Sequence, residues 1–180
     1  MKIGVFGRTK ADNRKIIKTA EEIGKIIAET GNTVVTGGTE GYPHIVAMSA
    51  IKNRGKAISY ATGLKIADHL KFHKVDLSQY SKVIFQKKYF NKKLLGIDNY
   101  LRSLDMCLNV DCAIIIGGRV GTMYEVTILS GIAKPIFILK GSGGITNETI
   151  KDFIKEGHKE KSKIQYFENS KVLTKILKKI

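Results

Sequence analysis

The sequence predicts an α/β protein in which a doubly wound parallel β-sheet carries helices on both faces. Three observations predict it. Short apolar runs rich in β-branched residues alternate with segments of helical spacing along the 180 residues. The runs are apolar throughout rather than every second residue, as in strands buried on both faces. Glycine clusters follow the runs at Gly7, at Gly37, Gly38 and Gly41, at Gly117, Gly118 and Gly121, and at Gly141, Gly143 and Gly144. In a Rossmann-like sheet these turns gather at the carboxyl edge of the strands, where ligands bind.

Each element has its own signal. Lys2 to Phe6 is the first strand. Apolar residues at Ile16, Ile17, Ala20, Ile23, Ile26 and Ile27 form a helical stripe from Asn13 to Thr30, which Gly31-Asn32 ends. Thr33 to Thr36 is a β-branched strand, and Gly37 to Gly41 a loop. Pro43 suits the start of a helix running to about Asn53. Ala57 to Tyr60 and Lys82 to Gln86 are the third and fourth strands. Ala61 to Ser81, between them, reads as a short helix and a mobile loop. Tyr89 to about Asn109 is a long helix weakened at Gly96. Asp111 to Ile116 is the fifth strand, Val120 to Ile132 the helix after it, and Pro135 to Leu139 the sixth strand. Asn147 to Glu156 is helical, Ile164 to Phe167 an edge strand, and a Lys-rich helix begins at Ser170. No linker or repeat interrupts the pattern, so residues 1–180 read as one Rossmann-like nucleotide-binding domain.

Composition narrows the function. No apolar run approaches the roughly 20 residues that span a bilayer, which argues against a membrane protein. The start, Met1 to Gly7, reads as a strand and not a signal peptide, which makes cytoplasm the expected location. Cys107 and Cys112 lack metal-ligand spacing and read as buried thiols. Lys and Arg number 31 against 16 Asp and Glu, a net charge of +15 that favours anions: nucleotides, nucleic acid or acidic lipid. The lysines are spread over many segments, so a solvated surface is the competing reading.

The most informative stretch runs from Asp111 to Glu125. An apolar strand ends in Gly117-Gly118-Arg119-Val120-Gly121-Thr122, and a helix opens that carries Glu125. Exposed amides at such a turn attract phosphate, and a carboxylate one turn into the helix reaches a sugar. The turn after the first strand lacks the third glycine of a dinucleotide fingerprint, and no Gly-Lys-Ser/Thr is present, so NAD-type and Walker-type readings fall. His69 and His73 are four apart with no evident third ligand. Glu40 and His44 read as a solvated loop carboxylate and a packed or solvent-facing imidazole.

These motifs resemble the LOG family, the cytokinin-activating nucleoside 5'-monophosphate phosphoribohydrolases once mislabelled lysine decarboxylases. The family sits in a wider superfamily with molybdenum cofactor carrier-like proteins and the DNA-processing protein A domain. Its signature, P-G-G-x-G-T-x-x-E, is matched by Gly117 to Glu125. Arg102 lies nine residues before Asp111, as a family arginine lies before its aspartate, and Gly37-Gly38-Thr39-Glu40-Gly41 is similar to the earlier G-G-x-x-G loop. The resemblance covers roughly residues 2 to 140. Gly117 and Arg119 stand where the signature has Pro and Gly, Tyr124 where the hydrolases usually carry a second Glu, and Ser103 where they carry Lys. A Gly-Gly start without Pro is closer to the cofactor-carrier-like branch.

The resemblance implies a phosphorylated small-molecule partner, a nucleoside monophosphate above all. Its N-glycosidic bond would be cleaved to free base and ribose 5-phosphate. Glu125 would stabilise the oxocarbenium-like transition state, with Arg102 as its electrostatic partner. Gly117, Gly118, Arg119, Val120, Gly121 and Thr122 would hold the phosphate, with Gly37, Gly38, Thr39 and Arg8 closing in from neighbouring loops. No metal and no cofactor is called for. Alternatives are a non-catalytic carrier of a phosphorylated cofactor and a nucleic-acid-binding relative of DNA-processing protein A. A homo-oligomer is expected by resemblance.

Overall fold

The computed structural model describes residues 1–85, 97–157 and 163–180. Among them seven strands form one sheet: β1 (Lys2–Gly7), β2 (Thr33–Thr36), β3 (Lys56–Ala61), β4 (Lys82–Phe85), β5 (Cys112–Ile116), β6 (Ile136–Leu139) and β7 (Ile164–Phe167). Every neighbouring pair is parallel, in the order β4-β3-β2-β1-β5-β6-β7. The predicted doubly wound sheet is therefore the observed one. Burial follows the apolar runs. All five residues of β5 are buried, and each large aliphatic side chain so buried contributes roughly 1.5–3 kcal/mol.

The helices cover both faces. α1 (Arg14–Glu29) and α2 (Tyr42–Lys52) pack against each other on one face, with α7 (Ser170–Leu177) beside α1. α4 (Ile97–Leu108), α5 (Val120–Gly131) and α6 (Thr149–Glu156) belong to the other, where Met106, Val126, Leu129 and Ile150 join one buried cluster. α1 begins where the sequence says, because the Asn13 side chain accepts from Lys15 N at 3.0 Å and Ile16 N at 3.3 Å. Of the predicted stripe, Ile16, Ala20, Ile23 and Ile27 are buried and Ile17 and Ile26 partly buried, and Gly24 joins the buried face.

The stretch after β3 needs correction. It holds the expected short helix, α3 (Ile66–His69). The remainder, read as a mobile loop, is anchored: Val75, Leu77 and Tyr80 are buried in the core. Three isolated apolar residues without periodicity gave no pattern to read. The predicted Tyr89 helix is observed from Ile97, and its beginning, with Gly96 and the strand-end residue Gln86, lies outside the described residues. Both cysteines are free and buried, and burial pushes the Cys112 thiol up to about 12.

Candidate anion and sugar site at the strand-order switch

The chain runs outward from β1 to β4, then returns to the other side of β1 as β5. Loops leaving β1 and β5 therefore diverge and open a crevice between them, the position at which open α/β sheets bind ligands. Gly7 ends β1 directly beside Ile116 of β5. A cavity of about 320 Å³ opens here, walled by the β1 and β2 exits, α4 and the start of α5. A larger groove of about 590 Å³ lies along Pro135, Ile164, Lys175 and Ile176. Its lining holds lysines, Gln165 and apolar side chains but no acidic side chain, so the smaller cavity is where acid-base side chains converge.

The β5 loop explains the missing signature proline. Gly117 has φ of 63° and its N–H donates to Ser142 Oγ at 2.8 Å. Proline can adopt neither that angle nor that bond. Gly118, at φ 118°, could not carry a Cβ, which would stand 2.3 Å from Thr122 Oγ1. The glycine-rich β6 exit buttresses this loop, with Ile145 N donating to Gly118 O at 3.2 Å. Restoring the proline as Gly117→Pro is expected to destabilise the protein by about 3 kcal/mol or more, measurable by urea denaturation.

α5 begins immediately after. Arg119 is its N-cap, no side chain caps the first turn, and no acidic residue occupies it. The first-turn amides and the positive end of the helix dipole are thus available to an anion. Thr122 is buried beneath them.

Arg102 and Glu125 supply the charged chemistry. Arg102, 9% exposed, donates from Nη1 to Gly37 O at 3.1 Å and to Thr62 Oγ1 at 3.0 Å, and its buried Nε has no partner. Among the described residues it makes no ion pair within 4.0 Å. Burial lowers its pKa, and the charge of Glu125 opposes that. Glu125 accepts from Ser103 Oγ at 2.8 Å. The residue keeps some solvent exposure, yet protein packs densely around its carboxyl. That desolvation raises its pKa to about 7, against the opposing pull of Ser103 and Arg102. A carboxyl poised near neutrality beside a buried cation makes this crevice a candidate site for handling protons or ligand charge.

Histidines brace the loops that hold Arg102. His69 is fully buried, accepts from Thr62 N at 3.1 Å on Nδ1, and has Nε2 2.9 Å from Gly38 O. An amide donor on Nδ1 requires the neutral ring with its proton on Nε2, donated to the carbonyl. Both nitrogens are used, so His69 has none left for a metal. The spacing to His73 does bring the rings together, with centroids 5.0 Å apart. Among the described residues no group of three or more His, Cys, Asp or Glu is arranged to hold a metal. Glu40 is not simply solvated: it accepts from Lys74 N at 2.7 Å, and His73 Nδ1 lies 3.3 Å from its other oxygen. His44 is half-buried against Tyr80 OH at 3.2 Å.

Six of the candidate residues line the cavity: Gly37, Thr39, Arg102, Gly121, Thr122 and Glu125. Arg8 and Arg119 line an adjoining cleft that shares Gly121 and Thr122. Gly38, Gly117 and Gly118 shape the loops without lining either space, and the Val120 side chain, 73% exposed, points to solvent. Asp111 sits at the opposite end of β5, where its carboxylate accepts from Lys2 N at 2.7 Å. Sequence reasoning missed Thr62 altogether, and it named Ser103 and His69 without the contacts they make here. Ser103 stands 22 residues from Glu125, and only the packing of α4 on α5 joins them.

Fold and site together define an open α/β protein with a charged crevice at its strand-order switch. The chain belongs to the SLOG cluster4 family, which it matches over residues 1–174. This is the superfamily that the three motifs point to. The X-ray structure of TM1055 is similar at TM-score 0.80 and 21% identity, covering 99% of this chain and 99% of that one. The molybdenum cofactor carrier protein from Chlamydomonas reinhardtii is similar at TM-score 0.74 and 20% identity, covering 99% and 96%. DNA processing protein A from Helicobacter pylori, described with single-stranded DNA binding, is similar at TM-score 0.69 and 14% identity, covering 99% and 80%. At these identities the likeness establishes a shared fold. No curated protein sequence matches the chain. Among the described residues no helix is long and apolar enough to cross a membrane.

Proposed function

We propose that the chain binds a phosphorylated nucleoside at the β1/β5 switch and cleaves its N-glycosidic bond, as a nucleoside 5'-monophosphate phosphoribohydrolase. The observation that carries this is the nearness of buried Arg102 to Glu125, whose carboxyl is poised at about 7, by the uncapped start of α5. Phosphate sits on the first-turn amides, and sugar and base extend into the cavity toward Glu125. Water attacks the sugar C1' as the base leaves with the bonding electron pair. Ionised Glu125 stabilises the positive charge at C1' and takes the proton released by the water. Arg102 faces the electron-rich leaving base or the phosphate.

A second reading is a carrier that binds without turnover. It is favoured by Tyr124, which lines the cavity beside Tyr100 at 4.9 Å between ring centroids, where the hydrolases usually have a second acid. Glu125 is then the single carboxylate lining the described cavity. The C. reinhardtii neighbour, named a carrier of molybdenum cofactor, has the same fold.

Incubation with a panel of nucleoside monophosphates separates the two. Release of free base and ribose 5-phosphate that disappears in Glu125→Gln supports hydrolysis. Stoichiometric binding without release overturns it in favour of the carrier. Tight, salt-sensitive binding of single-stranded DNA in place of any nucleotide would instead support the nucleic-acid reading that the +15 charge leaves open.

A further inference from the structure

A second cleft, of about 310 Å³, adjoins the cavity and shares four of its lining residues: Gly7, Thr9, Gly121 and Thr122. Its remaining lining is Arg8, Lys10 and Arg119. The two spaces therefore share a wall at the start of α5, with the acid-base groups on one side and three cations on the other. Opposing charge is sparse. Asp12 pairs with Arg8 at 2.8 Å, both partly exposed, and no carboxylate lines the cleft. Lys10 and Arg119 are exposed and make no ion pair among the described residues.

A nucleoside monophosphate accounts for only half of this arrangement. Its base and sugar occupy the cavity, and its phosphate reaches the shared wall at Gly121 and Thr122. The cleft beyond, comparable in volume to the cavity itself, is left with Lys10 and Arg119 unanswered. We infer that the preferred ligand carries a second phosphate beyond the first, as a nucleoside diphosphate or a diphosphate-linked diester, with the outer phosphate held by Lys10 and Arg119. The inference rests on the proposed placement of the nucleoside in the cavity. It also gives Arg119 a role: where the signature has glycine, a guanidinium at the N-cap adds a charge-assisted grip on the outer phosphate.

The test is calorimetric titration of the intact chain with AMP, ADP and inorganic pyrophosphate at low salt. ADP is expected to bind about tenfold more tightly than AMP, an advantage that shrinks as salt rises. In Lys10→Ala and Arg119→Ala the ADP affinity falls more than the AMP affinity, and the double variant brings the ratio to within about twofold. Thermal melting of each ligand-free variant checks its fold. AMP bound as tightly as ADP overturns the second-phosphate subsite while leaving the nucleoside site standing. Binding of neither nucleotide overturns both. ADP preference that survives the double variant also overturns the assignment to this cleft. A short oligonucleotide that outcompetes ADP would assign the cleft to the next phosphodiester of a nucleic acid and overturn the small-molecule proposal.

Discussion

Arg102→Met is expected to leave the protein as stable as before, or more so, while weakening nucleotide binding by about 100-fold. The reasoning rests on what surrounds the guanidinium. It is 9% exposed, its hydrogen-bond partners are the neutral Gly37 O and Thr62 Oγ1, and its buried Nε has none. The facing carboxyl, Glu125, is pushed to about 7 and so is only partly ionised at neutral pH. A cation in that position is poorly compensated, and replacing such a charge by an apolar side chain of similar length is often neutral or stabilising. What is lost is a buried positive charge that a ligand anion can meet after leaving water, where charge-assisted bonds are strongest. Chemical denaturation and calorimetry on the same variant read both effects. A large loss of stability with binding retained would make Arg102 a structural residue.

Glu125→Gln separates stability from catalysis through pH. The carboxyl has a folded-state pKa of about 7 against an ordinary value of 4.5, mainly through burial. The folded state thus binds a proton that the unfolded chain has released. The stability this contributes is fully present below pH 4.5 and is lost as pH rises through about 7. Glutamine keeps an oxygen for Ser103 Oγ and never ionises. It is therefore expected to match the native stability near pH 5. By pH 8 it should exceed it by roughly 2 kcal/mol, allowing for the residue's partial exposure. Melting curves at the two pH values test this: an advantage that does not grow with pH would contradict the raised pKa. Hydrolysis by the native protein should rise with pH through about 7, as the ionised form appears, and be lost in the glutamine variant.

The fold was legible because its strands are apolar throughout and its turns are punctuated by glycine. The central strand runs of Ile3 to Phe6 and Ala113 to Ile116 have no reading other than burial on both faces. The nearness of Arg102 to Glu125 was legible only through spaced motifs, since 23 positions separate them and they lie on different helices, α4 and α5. The supporting residues were hidden for a physical reason. Ser103, Thr62 and His69 act through single contacts between elements distant in sequence, and a lone hydroxyl or imidazole has no period. His69 and His73 show the converse. Their spacing brings the rings together, but in the fold both nitrogens of His69 are already engaged by Thr62 and Gly38. The substitution at Gly117 reads as a departure in sequence and as a requirement in structure, because φ and the bond to Ser142 exclude proline.

The most direct test of the central claim, that a phosphorylated nucleoside binds at the β1/β5 switch, is amide NMR during titration with AMP. The account predicts shifts concentrated at Gly118 to Thr122, with smaller ones at Gly37 to Thr39 and around Glu125. Shifts confined to the groove along β7 and α7, or none at millimolar nucleotide, would contradict it.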